Sequence, residues 1–219
     1  MVSIAIDGPA GSGKSTIARL LAERLGYIYV DTGAMYRSVT LSILQHQIDL
    51  TKTDELIALI ESLEIDLQGC PSSSCVYLNG QDVTRDIRKE QVSNWVSEVA
   101  KISEVRSIMV KKQRKLAQMH DVVMDGRDIG SSVLPHAQFK FFLTATLEER
   151  ARRRKKDADA LQEPIDLLEM KERIRKRDEM DENRAISPLK MADDAIMIDT
   201  TDLSVEQILN KMLRIIEKR

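Results

Sequence analysis

Near the N-terminus, Gly8-Pro9-Ala10-Gly11-Ser12-Gly13-Lys14-Ser15 matches the spacing G-x-x-x-x-G-K-[ST] at every fixed position. Glycines in this pattern let successive backbone N–H groups turn inward around phosphate oxygens, and a helix opening at the lysine adds partial positive charge. In such a loop Lys14 neutralises a transferring phosphoryl group and Ser15 ligates magnesium. The run from Gly8 to Thr16 is therefore the candidate nucleoside-triphosphate site. A guanine-reading N-K-x-D or T-K-x-D would belong late in the fold, after a strand. Thr51-Lys52-Thr53-Asp54 comes too early for that and reads as a polar turn capping a helix.

Charged residues gather in three further places. Asp31-Thr32-Gly33-Ala34-Met35-Tyr36-Arg37 follows one β-branched run and Asp125-Gly126-Arg127-Asp128 closes another. Strand ends are where α/β folds place ligands, and a guanidinium fork grips a phosphate bidentately. The third set, Arg177-Asp178-Glu179-Met180-Asp181-Glu182-Asn183-Arg184, interleaves cations with carboxylates. Any one set alone reads as a surface salt-bridge cluster, but three accompanying a phosphate loop point to a second phosphate-bearing ligand. His46, His120 and His136 lie outside every motif.

Composition narrows the setting. The chain has 219 residues, 42% of them apolar, with 33 Lys and Arg against 35 Asp and Glu. That excludes a disordered polyelectrolyte and suggests one domain, or one domain carrying mobile appendages, over residues 1–219. The net of -2 hides a partition: residues 1–84 carry -5, residues 85–156 carry +8 and residues 157–219 carry -5. A cationic middle suits nucleic acid, a smaller polyanion, or simply solvated helix faces. Met1 to Asp7 lacks the cationic start of a signal peptide, and no apolar run approaches the roughly 20 residues needed to span a bilayer. Cys70 and Cys75 flank a proline and three serines, without the further ligands zinc requires. The expectation is reduced, unliganded thiols in a cytosolic protein.

The elements that must hold these groups follow from apolar periodicity. Val2–Asp7 reads as a buried strand, Ser15–Leu25 as a helix with Ile17, Leu20, Leu21 and Leu25 on one side, Tyr27–Val30 as a strand and Ala34–Gln45 as a helix. Val122–Asp125, Phe139–Leu143 and Ala195–Asp199 supply three more strands, giving a five-stranded doubly wound parallel α/β sheet. Ser204–Arg219 closes the chain as a helix, with Ser204 and Gln207 at capping-box spacing. Between the second and third core strands, Ile65–Leu67 and Val76–Val83, with Asn79-Gly80 as a turn, predict a small antiparallel insert. Helices at Lys89–Ala100 and Ser103–Gln118 follow, and the helical spacing of Val92, Trp95, Val96 and Val99 predicts that Trp95 packs rather than stacks on a ligand.

Taken together, GPAGSGKST, DTGAMYR, VSEVAKISEVR, MDGRDIG and DENRAISPL resemble the bacterial-type cytidylate kinases, P-loop nucleoside monophosphate kinases that move a phosphoryl group from ATP to CMP or dCMP. The resemblance spans nearly the whole chain, with the insert at about 62–86 matching that family's enlarged nucleotide-binding region. It implies a monophosphate-binding region at about 62–100 and a helical lid at about 149–165. Arg37, Arg127 and Arg184 are implied to hold the acceptor phosphate, Tyr36, Arg177 and Asp181 the sugar, and Ser97, Arg106 and Asp128 the cytosine; Thr32 joins the acceptor side. Cytosine offers an amino donor beside two acceptors, which a carboxylate and a guanidinium match. Uracil would turn a carbonyl towards Asp128, so UMP is expected to be the poorer substrate.

The acceptor phosphate, with a second pKa of about 6, is mostly dianionic at neutral pH and is already a nucleophile. The protein then supplies positioning and charge neutralisation, with Mg2+ accompanying ATP. Asp31 and Asp125 are expected either to position water around the magnesium or to orient the arginines. Within Arg150-Ala151-Arg152-Arg153-Arg154-Lys155-Lys156, Arg150 and Arg153 share a helix face and are expected in a lid over the triphosphate, which would exclude water. The remaining readings are a kinase for UMP, AMP or a hydroxylated metabolite, and an ATP-dependent nucleic-acid-binding module. The expected partners are ATP and CMP or dCMP, with no nucleic acid and no membrane, for a cytoplasmic monomer.

Overall fold

The computed structural model describes residues 1–70, 73–160 and 164–218. Parts of the expected lid (161–163) and of the cysteine segment (71–72), and the last residue of the closing helix, lie outside these. In chain order the elements are β1 (Ser3–Asp7), α1 (Lys14–Leu25), β2 (Ile28–Asp31), α2 (Thr32–Gln45), α3 (Thr53–Ser62), β3 (Ile65–Cys70), β4 (Ser73–Leu78), β5 (Gln81–Asp82), α4 (Glu90–Val99), α5 (Ser103–Met119), β6 (Val122–Asp125), β7 (Phe139–Thr144), α6 (Leu147–Ala160), α7 (Leu167–Glu182), β8 (Ile196–Asp199) and α8 (Val205–Glu217). They fall into two compact units, Met1–Tyr29 with His120–Arg219, and Val30–Met119.

The first unit is built on the parallel sheet, in the order β2-β6-β1-β7-β8. Ser3 stands opposite Val122 and Ile6 opposite Asp125, while Ile4 faces Phe139 across the other edge of β1. This register carries Asp7 and Asp125 to one edge of the sheet. Ile4, Ala5 and Ile6 are all fully buried, as are Val122, Val123 and Met124, because helices cover both sheet faces. Ile17 and Leu21 of α1 and Ile208, Leu209 and Met212 of α8 pack on Ile4, Ile6, Phe141, Leu143 and Ile198. Each large side chain buried this way contributes about 1.5–3 kcal/mol. Gly8 ends β1 at φ 144°, where an added Cβ would stand 2.0 Å from the Leu143 carbonyl oxygen, so the chain can leave the sheet there only as glycine. The expected capping box is present at the start of α8.

In the second unit β3, β4 and β5 form the expected antiparallel sheet. Asn79 (φ 49°) and Gly80 (φ 79°) both take the left-handed conformation that a two-residue hairpin turn requires. Thr53, Asp54 and Glu55 open α3, so the T-K-x-D match is indeed part of a helix start.

Two expectations need correction. Val92, Val96 and Val99 form the buried stripe of α4, but Trp95 lies at its edge and is 46% exposed. The apolar spacing was right, but the stripe is too narrow to take in a ring offset from its centre. Cys75 is disulfide-bonded, not a free thiol. Antiparallel pairing of β3 with β4 folds the two cysteine positions back towards each other, with Gln68 opposite Cys75 and Cys70 opposite Ser73. Compartment reasoning does not register that proximity. No helix among the described residues is long and apolar enough to cross a membrane.

Candidate phosphoryl-transfer site

The phosphate loop leaves β1 at Gly8 and enters α1 at Lys14, as the sequence pattern requires. Lys14 is 5% exposed, and its Nζ donates to the Pro9 carbonyl at 2.6 Å and to Ser12 Oγ at 3.3 Å. Burial, then the neighbouring Arg127 and Arg154, push the Lys14 pKa well below its ordinary value, against the opposing pull of Asp125 and Asp7. A buried ammonium crowded by guanidinium groups is a place arranged for an anion. Ser15 Oγ donates to one oxygen of Asp125 at 2.9 Å, and the Tyr29 hydroxyl donates to the other at 2.9 Å. The hydroxyl and carboxylate form a small hard-oxygen donor set, which suits a magnesium ion that takes its other ligands from phosphates and water.

The two basic positions expected in a lid are tied to the loop from α6. Arg150 Nη1 donates to the Ala10 carbonyl at 3.1 Å and to Asp178, and its Nε donates to the Ala145 carbonyl. Asp178 Oδ1 in turn accepts the Ala10 N–H at 3.3 Å. The Ala10 peptide is thus bracketed by an Arg–Asp pair from α6 and α7. Arg153 donates to Glu149, to Thr200 Oγ1 at 2.9 Å and to the Thr200 carbonyl at 2.7 Å. The Thr200 hydroxyl contacts the Ser12 carbonyl at 3.2 Å, linking this arginine to the loop as well.

Of the acceptor-side residues, the first unit holds Arg127, Asp128, Arg177, Asp181 and Arg184. Arg127 Nε donates to Asp181 Oδ2 at 2.8 Å. Burial alone would raise the Asp181 pKa, but Arg127, Arg177 and Arg184 together hold it below the usual carboxylate value. Arg127 is likewise penalised by burial yet kept charged by Asp181 and Asp125. Arg184 Nη2 donates to the Ser187 carbonyl at 2.8 Å and lies 4.0 Å from Asp128 Oδ1.

The second unit holds Thr32, Tyr36, Arg37, Ser97 and Arg106. Asp31 caps α2 by accepting the Ala34 N–H at 2.7 Å, and its other oxygen lies 3.6 Å from Arg37. Of the two roles expected for Asp31, orienting an arginine is therefore the one its geometry supports. At Gly33 an added Cβ would sit 3.2 Å from Asp31 and 3.3 Å from Arg37, so a side chain there would crowd the pair. Arg106 on α5 is 3% exposed, with its guanidinium 5.8 Å from the centre of the Tyr36 ring. Ser97 is buried although it lies off the apolar stripe of α4.

Three residues of the site escaped sequence reasoning: Asp7, Asp178 and Thr200. Asp178 belongs to the charged set Arg177–Arg184, but its pairing with α6 depends on the crossing of two helices. Asp7 immediately precedes the loop, where the strand pattern accounts for it without any further role. It accepts two backbone N–H groups from the segment after Asp128.

The cytidylate kinase family profile matches residues 4–218. Curated cytidylate kinases of Anoxybacillus flavithermus (49% identical) and Geobacillus kaustophilus (50% identical) each align over 218 residues, covering 100% of this chain and 97% of theirs. That of Caldanaerobacter subterraneus is 50% identical over 99% of this chain and 95% of its own. Among solved structures, a shikimate kinase of Bacteroides thetaiotaomicron superposes with a TM-score of 0.51 at 15% identity, over 99% of this chain and 98% of its own. An uncharacterised protein of Eubacterium ventriosum superposes with a TM-score of 0.54 at 15% identity over the whole of both chains. At that identity the two superpositions speak for the fold alone.

Proposed function

The chain belongs to the cytidylate kinase family and transfers a phosphoryl group from ATP to CMP, and from that premise we propose how its residues divide the reaction. The observation that carries the division is the buried Lys14 beside Arg127, a concentration of positive charge at the mouth of the phosphate loop. Gly8 to Thr16 cradle the triphosphate, with Lys14 facing the group in transfer. Ser15, with Asp125 behind it, would hold magnesium, which when bound neutralises charge on the phosphate oxygens. Arg150 and Arg153 complete the donor side, Arg150 by fixing the Ala10 peptide and Arg153 by bringing charge close to Gly13.

On the acceptor side, Arg37, Arg127 and Arg184 grip the monophosphate, whose dianion attacks without a general base. Thr32, Tyr36, Arg177 and Asp181 position the sugar. Asp181 is held ionised, so it can accept from a sugar hydroxyl. Ser97, Arg106 and Asp128 read cytosine: the carboxylate accepts from the amino group and the guanidinium donates to the ring acceptors. Both CMP and dCMP are substrates on this reading, residues 149–165 act as the lid, and the enzyme works as a cytoplasmic monomer. The test is ADP release from Mg-ATP with CMP, dCMP, UMP, AMP and no acceptor. CMP and dCMP should turn over far faster than the others, and equal rates with every acceptor would sink the assignment.

A further inference from the structure

We propose that Asp7 is a positioning residue for cytosine recognition, holding the turn that presents Asp128; this rests on the reading of Asp128 as the base reader. Asp7 closes β1 one residue before the phosphate loop and is 4% exposed. Its two carboxylate oxygens are used as a fork: Oδ1 accepts the Ile129 N–H at 2.8 Å and Oδ2 accepts the Gly130 N–H at 2.7 Å. These consecutive N–H groups open the π-helical turn Ile129–Val133, for which Asp128 occupies the N-cap position.

An aspartate at an N-cap ordinarily turns its own carboxylate back onto the first N–H groups of its helix. Asp128 makes no such bond, with φ −145° and ψ 27°. Its carbonyl accepts the Ser132 and Val133 N–H groups at 2.8 and 3.1 Å, so its backbone belongs to the turn. Asp7 caps in its stead. A carboxylate from the neighbouring strand serves the first two N–H groups of the turn and so fixes the turn that carries Asp128, whose Oδ1 lies 4.0 Å from Arg184. Burying an ionised carboxylate is expensive, and the two N–H groups of the fork offset part of that cost. At Gly130 an added Cβ would merely touch Asp7 Oδ2, at 3.4 Å, and would meet the Lys140 side chain more tightly, at 3.2 Å.

Asp7→Asn makes the direct test. An amide offers one acceptor and one donor, so one of the two N–H groups would face another N–H and the turn would have to shift. The ratio of kcat/KM for CMP to that for UMP should fall about tenfold, the scale of one lost buried hydrogen bond with its partner unsatisfied. Uracil makes no favourable use of Asp128, so the loss should fall on CMP. Any effect transmitted through Lys14 lowers both acceptors alike and leaves the ratio untouched, and the KM for ATP should stay within about threefold. Asp7→Glu, which keeps the charge and both acceptor oxygens but lengthens the arm by one methylene and so displaces the turn, should lower the ratio in the same direction and decides the matter if Asp7→Asn does not fold. Proportional losses for CMP and UMP in the folded variants would overturn the proposal and leave Asp7 a purely structural group. Asp128→Ala, assayed alongside, separates the two ideas. If it abolishes the preference while the Asp7 variants keep it, only the positioning role fails; if it leaves the preference intact, the base-reading assignment itself is wrong.

Discussion

Asp7 also makes a prediction about stability that needs no substrate. Burial dominates its environment and, with the charge of Asp128, outweighs the two backbone N–H bonds and Lys14, raising its pKa from 3.8 to about 6. In the unfolded chain the group titrates near its ordinary value. Between those two pH values the folded protein keeps a proton that the unfolded chain has released, so the slope of unfolding free energy against pH is negative for this group. Its stabilising contribution is fully present below about pH 4 and is lost as pH rises through about 6. A displacement of about two pH units corresponds to about 3 kcal/mol. Urea denaturation of the wild type and of Asp7→Asn across pH 4 to 7.5 isolates the effect, because groups common to both proteins cancel in the difference. The wild type should lose about 2.4 kcal/mol relative to the variant over that range. A pH-independent difference, or one that grows in favour of the wild type as pH rises, would refute the assignment of a strained buried carboxylate.

Three other expectations follow from the contacts. Arg150→Met should destabilise the fold by about 3 kcal/mol by leaving Asp178 buried without its guanidinium, whereas Arg150→Met combined with Asp178→Leu should cost less, as thermal denaturation of the single and double variants would show. Ser204→Ala removes the capping box of α8 and should cost about 1 kcal/mol in chemical denaturation, with kcat unchanged. Arg184→Ala should raise the KM of every nucleoside monophosphate, while Asp128→Ala should chiefly narrow the preference for CMP over UMP in steady-state assays; identical profiles for the two variants would contradict their separate roles.

What could be read from the sequence was whatever depends on local chemistry. The phosphate loop, the hairpin turn at Asn79-Gly80 and the capping box of α8 each need particular residue types at fixed short spacing, and each stands where expected. The five core strands were visible because parallel strands buried on both faces are continuous apolar runs. Contacts between segments distant in sequence were not visible. Asp178 meets Ala10 across 168 positions and Asp7 meets Gly130 across 123, and no periodicity reports such a pairing. Trp95 failed differently, because period alone fixes the direction in which a side chain points but not the width of the surface waiting for it. The cysteines failed because compartment arguments weigh the cell and not the register of a hairpin.

The placement of carboxylates beside the arginines of the site fits phosphoryl transfer better than it fits a nucleic-acid surface or a solvated helix face. Arg37 is near Asp31, Arg127 pairs with Asp181, Arg150 with Asp178, and Arg184 lies near Asp128. A surface that binds nucleic acid gains affinity from cations free to meet phosphates along a strand, and buried pairing would waste them. A kinase joining two anions has a different requirement, since its guanidinium groups must be aimed before the phosphates arrive, and reorienting long side chains during the reaction would add to the barrier. A carboxylate beside each arginine fixes its direction and offsets the repulsion among cations packed together. That predicts a specific defect for Asp181→Asn: Arg127 keeps its charge but loses its orientation, so kcat should fall more than the affinity for CMP. Equilibrium binding of CMP alongside single-turnover kinetics would separate the two, and a loss confined to affinity would show that Asp181 serves the sugar without aligning the arginine.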